Sequence, residues 1–219
     1  MSNKPVKKSE KWLQSRRDRK ISIAPEYHLI VSEGEKTEPN YFEGLKREIN
    51  KQYPGRISIE IKGIGKGANT LTLLEKAQKI VQQNPDRYKH IWLVYDKDDF
   101  PSDDFDNTFY RCKSLSEGSD AKYHALWSNE CIEYWFLLHF EYLSAALHRN
   151  GYFPKLSEHL GIKYKKNSKD IYDRLKPQLE TAIKNAKKIL EKHGDGTPPS
   201  ACTPGTTVYQ LFEKLQKYI

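Results

Sequence analysis

The run Ile91-Trp-Leu-Val-Tyr-Asp-Lys-Asp-Asp99 sets the frame for the whole chain. Five apolar or aromatic residues without alternation read as a strand buried on both faces, the kind found in parallel sheets covered by helices. The strand ends in three carboxylates, Asp96, Asp98 and Asp99. If the backbone stays extended, Asp96 and Asp98 point the same way, because strand side chains alternate with period two. Like charges so placed repel unless a cation lies between them, and all-oxygen ligands suit Mg2+ or Mn2+ better than zinc. Asp is also common in solvated turns after strands, so the pattern alone leaves both readings open.

Three more strand–helix units accompany this one. Glu26 to Ser32 reads as a first strand, followed by the turn Glu33-Gly-Glu-Lys-Thr-Glu-Pro39. Thr37 is placed to cap a helix, with Pro39 tolerated in its first turn and Phe42, Leu45 and Ile49 on one face. Ile57 to Ile61 alternates as a second strand. The glycine-rich turn Gly63-Ile-Gly-Lys-Gly67 then precedes a helix through Val81, and Lys66 there either meets a phosphate or belongs to a flexible connection. After the third strand, Ser102 is placed to cap a helix with Phe105, Phe109, Cys112 and Leu115 inward. Asp103, Asp104 and Asp106 complement the positive end of that helix and are read as structural. Lys122 to Trp127 forms a fourth strand, and Ser128 or Asn129 caps an apolar helix from Glu130 to Phe140.

Four such alternations predict an α/β fold over residues 23–141: a three-layer unit with a mainly parallel four-stranded sheet and right-handed crossovers. Residues 1–22 form a basic arm, and residues 142–219 a helical extension. The extension holds short helices at Ser144 to His148 and Lys155 to Leu160. A long basic helix, broken near Pro177, runs from Ser168 to Lys192, and a last helix follows Thr206 or Thr207. In such sheets the functional crevice lies outside the carboxyl ends of the strands. Glu33 and Glu35, the three aspartates, and Glu130 and Glu133 follow three different strands, so acidic groups converge on one edge. Glu133 lies among apolar and aromatic neighbours, where an unpaired carboxylate is costly, so it should face a partner or a cation. His139 reads as a packed helix residue rather than a ligand.

Charge placement agrees with this geography. The formal net charge is +8, yet residues 23–162 hold 17 basic and 21 acidic residues. Residues 1–22 hold eight basic against two acidic, and residues 163–192 ten against four. An acidic middle between basic flanks suits a metal site with a polyanion held at its edges. Salt-sensitive nucleic-acid binding is therefore expected through residues 163–192, Lys165 and Lys166 included; plain solubility is the alternative. No run approaches the roughly 18 apolar residues of a membrane span, and no signal-peptide core is present. Cys112, Cys131 and Cys202 show no Cys-x-x-Cys spacing, which fits reduced thiols in the cytoplasm.

A Glu after the first strand and Asp-x-Asp after the third resemble the Toprim domain of topoisomerases, primases and related nucleases. The blocks Val31 to Phe42, Val94 to Asp99, Ser128 to Phe140 and Pro204 to Tyr209 together resemble the RloB-like proteins, bacterial Toprim-type proteins of restriction and abortive-infection loci. Glu130 stands where a proline is usual in that family, and Gly205 where a serine is. The resemblance implies catalytic roles for Glu33, Asp96 and Asp98. It implies Mg2+ or Mn2+ held by Glu33, Asp96 and Asp98 with Asp99 and Glu133, and phosphate contacts from Lys36 and Lys97. It further implies a metal-dependent nuclease acting on DNA or RNA in anti-phage defence, with an ATPase partner encoded nearby. The alternative is a non-catalytic subunit that binds nucleic acid or the ATPase.

Overall fold

The structure, a computed structural model, describes residues 25–65, 70–99 and 101–219. The basic arm expected over residues 1–22, Lys66 and Phe100 lie outside the described residues.

A five-stranded sheet runs through the middle in the order β2-β1-β3-β4-β5. Its strands are β1 (Glu26–Ser32), β2 (Ile57–Gly63), β3 (His90–Asp96), β4 (Lys122–Asn129) and β5 (Gly205–Thr206). The first four are parallel, in the alternation the sequence predicts. The fifth is a two-residue antiparallel addition against Ser128 and Asn129. Burial explains the sequence patterns. Ile91 to Tyr95 of β3 are all inaccessible, as their unbroken apolar run requires, whereas the edge strand β2 buries only Ile57 and Ile59.

The connections place the helices. α1 (Thr37–Gln52) carries the chain from β1 to β2 on one side, and α2 (Thr70–Gln83) carries it back past β1 to β3 on the other. Right-handed crossovers in opposite directions put those helices on opposite faces of the sheet. The two apolar cores agree. Phe42, Leu45 and Ile49 of α1 pack with Ile30, Trp92 and Val94. Leu73, Leu74 and Ala77 of α2 pack with Leu29, Val31 and Leu93, beside Phe105 and Cys112 of α3 (Ser102–Glu117). The strand order reverses between β1 and β3, and a crevice opens at the carboxyl ends of such neighbours.

The remaining helices, α4 (Ile132–Leu137), α5 (Tyr152–Leu160), α6 (Ile171–Leu175), α7 (Leu179–His193) and α8 (Tyr209–Leu215), join the core on the α1 face. Several differ from expectation. α4 is six residues, not eleven: the amides of His139 and Phe140 bond to carbonyls three residues back, which tightens and ends the helix. Ser144 to His148 is not helical, because only Leu147 is even half-buried there and so short a helix has no face to bury. Near Pro177 the long helix divides into α6, a 3-10 turn (Lys176–Gln178) and α7. Thr206 lies in β5 rather than capping α8. No helix among the described residues is long and apolar enough to cross a membrane.

Candidate functional site

At the carboxyl ends of β1 and β3 lies a cavity of about 400 Å³. Its lining includes Glu33, Lys36, Glu38, Asp96, Asp98, Glu133 and Lys166. Three separate elements bring the carboxylates there. Glu33 follows β1, and its amide bonds to Val94 O of β3 at 3.1 Å, which carries the strand pairing one residue beyond the sheet. Asp96 ends β3. Asp98 sits in a left-handed turn (φ 38), a conformation Asp tolerates better than most residues. The turn is tied to the end of β4 by Lys97 N–H to Ser128 O (2.9 Å) and Asp98 N–H to Glu130 O (3.0 Å). Asp96 and Asp98 thus reach one cavity through a turn, not through the extended alternation expected.

Glu133 projects from α4 and is wholly buried. Its Oε1 accepts from the Tyr164 hydroxyl at 3.0 Å, with Lys166 Nζ at 3.7 Å. Asp98 Oδ2 accepts from the Arg149 guanidinium at 2.8 Å, and Arg149 N–H donates to Glu130 Oε2 at 2.8 Å. Glu130 therefore holds the backbone of Arg149 and does not line the cavity. Thr37 begins α1 instead of capping it; its hydroxyl donates to Lys166 O at 2.8 Å and docks the loop after α5 onto the helix start.

The remaining carboxylate oxygens decide the chemistry. Glu33 Oε2, Asp96 Oδ1, Asp98 Oδ1 and Glu133 Oε2 are all buried without a hydrogen-bond partner. Buried lone pairs normally find a donor. Four orphaned carboxylate oxygens around one cavity fit a hard divalent cation, and an all-oxygen set fits Mg2+ or Mn2+. Protonation behaviour has the same origin. Burial, then the charges of Asp98 and Glu38, push the Glu33 carboxyl up to about 7. Asp96 keeps a partly open edge, yet burial of its carboxylate and the neighbouring Glu38 and Asp98 raise it well above the ordinary carboxylate range. Asp98 is also raised by burial, with Arg149 opposing.

A family model described as RloB-like protein matches residues 28–215. The chain belongs to the RloB-like protein family. No curated protein matches it. Of the residues the sequence singles out in this RloB-like chain, Glu33, Glu35, Asp96, Asp98, Glu133, Lys36 and Lys166 line the cavity. Asp99 is exposed and is not in the lining. Lys165 borders a different groove, with Ile162 and Ile171, and Lys97 is not in the lining.

Sequence reasoning missed Glu38, Arg149 and Tyr164. Glu38 reads as a favourable charge at a helix start, but its side chain is buried against the cavity. Gly34 makes room for it. A Cβ on Gly34 would lie 2.2 Å from Glu38 Oε2. Gly34→Ala is therefore expected to displace Glu38 and weaken Mn2+ binding by roughly tenfold to a hundredfold, the range for loss of a supporting contact around a metal. Calorimetric titration checks this; unchanged affinity would show the carboxylate has another place to go.

A second acidic and histidine group lies at the opposite, amino-terminal end of the strands. Glu26, His28 and His90 bring one ligand-type atom each within 4.8 Å of one another, a spacing that could hold a metal ion. Hydrogen bonding disfavours that use. Trp92 Nε1–H donates to His28 Nδ1 at 3.0 Å, and an indole nitrogen only donates. The proton of neutral His28 therefore sits on Nε2, the atom an ion would need, which lies 3.3 Å from Glu26 Oε1 but makes no hydrogen bond. His90 Nε2 and Lys214 Nζ approach the same oxygen at 3.0 and 3.5 Å, so the Glu26 carboxylate already gathers donors.

Proposed function

We propose that this chain is a Mg2+- or Mn2+-dependent phosphodiesterase that cleaves DNA or RNA. The observation that carries the reading is the set of four buried, unpartnered carboxylate oxygens around one cavity at the strand-order reversal. Asp96, Asp98 and Glu133 would hold the ion together with Glu33. The ion would neutralise the scissile phosphate and the charge developing on its oxygens. In the metal-free chain burial and the charges of Asp98 and Glu38 raise the Glu33 carboxyl to about 7, and its Oε2 would complete the oxygens that hold the ion. Lys36 and Lys166 supply positive charge at the cleft for phosphate oxygens. Nucleic-acid contact through the basic segment, a partner ATPase encoded nearby, a role in anti-phage defence and a cytoplasmic setting belong to the same proposal; the ATPase and the defence role rest on family resemblance.

One observation favours a second reading. Asp98 and Glu133 already hold Arg149, Tyr164 and Lys166, so the carboxylates could serve to order loops in a binding subunit. The deciding experiment incubates the purified chain with plasmid, single-stranded DNA and folded RNA, with Mg2+, with Mn2+ and with chelator. Cleavage that needs the metal is expected for at least one substrate. Nucleic-acid binding with no cleavage under any condition would leave the binding subunit as the answer.

A further inference from the structure

Two cations are already paired with carboxylates of the cleft, and both come from residues 142–219. Arg149 is fixed by its backbone N–H to Glu130, while its guanidinium lies on Asp98 Oδ2 at 2.8 Å and its side chain is 30 % exposed. Lys166 is fixed by its backbone too: Thr37 donates to its carbonyl, and Asn40 Nδ2 donates to the next carbonyl, Asn167 O, at 3.1 Å. Its side chain is 51 % exposed, and its ammonium stands over the Phe153 ring at 5.2 Å and 3.7 Å from Glu133 Oε1. Both main chains are therefore pinned while both side chains remain partly exposed. Each tie joins a partly exposed cation to a carboxylate that is largely buried (Asp98) or fully buried (Glu133), so it holds until another cation takes its place. Moving Lys166 would not orphan Glu133 Oε1, which keeps the Tyr164 hydroxyl.

We propose that Arg149 and Lys166 are resident stand-in cations that neutralise Asp98 and Glu133 in the metal-free chain and turn to phosphate oxygens once those carboxylates hold a divalent ion. The inference rests on the metal-site reading above. A divalent ion held by Asp98 and Glu133 would weaken each carboxylate's hold on its side-chain cation and repel that cation toward solvent. Phosphodiester groups arriving at the cleft meet two positive side chains that were occupied before. Metal and phosphodiester binding then reinforce each other, and linkage makes the reinforcement reciprocal.

The test uses the full chain and two titrations. In the first, Mn2+ is titrated calorimetrically into metal-free wild type, Lys166→Met, Arg149→Met and Lys166→Arg. In the second, an oligonucleotide with phosphorothioate linkages, chosen to resist cleavage, is bound with Mg2+ and with chelator. Lys166→Met should bind Mn2+ about two- to fivefold more tightly than wild type, since a competing charge is gone, and Arg149→Met no more weakly. Wild type should bind the oligonucleotide roughly tenfold more tightly with Mg2+ than without; both Met variants should lose most of that gain, keeping only what the ion's own phosphate contact supplies, and Lys166→Arg should keep it all. In the metal-free state the Met variants should melt cooperatively but somewhat below wild type, since each strips a counter-charge from a buried carboxylate, and the cooperative melt separates these effects from misfolding. Weaker Mn2+ binding by folded Met variants would make the two cations structural supports, and a Mg2+ gain that survives both substitutions undiminished would equally overturn the proposal. Failure of wild type to bind Mn2+ at all would instead defeat the metal-site reading itself.

Discussion

Asp96→Asn should abolish metal-dependent cleavage and, at the same time, raise the melting temperature of the metal-free chain. The first effect follows from the Asp96 Oδ1 left without a partner in the cavity. Stabilising the charge on a transferring phosphoryl group is worth several kcal/mol. About 1.4 kcal/mol is tenfold in rate, so a loss on the order of a thousandfold is expected. The second effect follows from linkage. Burial, with Glu38 and Asp98 near, raises the Asp96 carboxyl in the folded state far above its ordinary 3.8. The folded chain therefore binds more protons than the unfolded chain above pH 3.8, and stability falls as pH rises through the folded value. Asparagine keeps the shape and removes the charge, so melting at pH 8 without metal should rise by roughly 3 °C or more. Mg2+ should raise the melting temperature of wild type and leave the variant unmoved. A variant that cleaves normally, or that melts lower than wild type without metal, contradicts the assignment of Asp96.

Trp135→Ala is expected to be the most destabilising of the single substitutions considered. Trp135 of α4 is completely buried. Its indole N–H donates to Tyr41 OH of α1 at 2.9 Å, and its ring stacks on Phe212 of α8 with centroids 5.6 Å apart. His139 meets it edge-on at 4.9 Å and bonds back to its carbonyl. One side chain thus joins three helices on the face of the sheet that carries Glu133. Buried Trp-to-Ala changes cost about 3–5 kcal/mol, a large part of a domain's whole stability. For a chain of this size that is roughly 10 °C of melting temperature. Trp135→Phe, which keeps a ring against Phe212 and loses the N–H, should fall between the two. If Trp135→Ala melts within about 2 °C of wild type, the packing of α4 between α1 and α8 is wrong.

The strands of the α/β core were legible because each has a period that only one environment satisfies. Ile91 to Tyr95 is apolar throughout and is buried on both faces; Ile57 and Ile59 alternate and lie at an edge. The rule that crevices open at strand carboxyl ends then located Glu33, Asp96, Asp98 and Glu133 without coordinates. Groups recruited by long-range contact carried no such signal. Arg149 reaches Asp98 from a loop 51 residues on, and Tyr164 reaches Glu133 from 31 residues on. Glu38 could be seen only as a favourable charge at a helix start, since nothing local says that Gly34 leaves space for its carboxylate. The two-residue β5 is too short for any periodicity. The helix expected at Ser144 to His148 failed for the opposite reason: suitable residues, but almost no surface to cover.

The account turns on where a divalent ion goes. A crystal of the chain soaked in Mn2+ and measured for anomalous scattering should show a peak in the cavity, with Asp96 Oδ1 and at least two of Glu33, Asp98 and Glu133 about 2.1 Å from it. A peak found instead among Glu26, His28 and His90, with the cavity empty, would contradict the account.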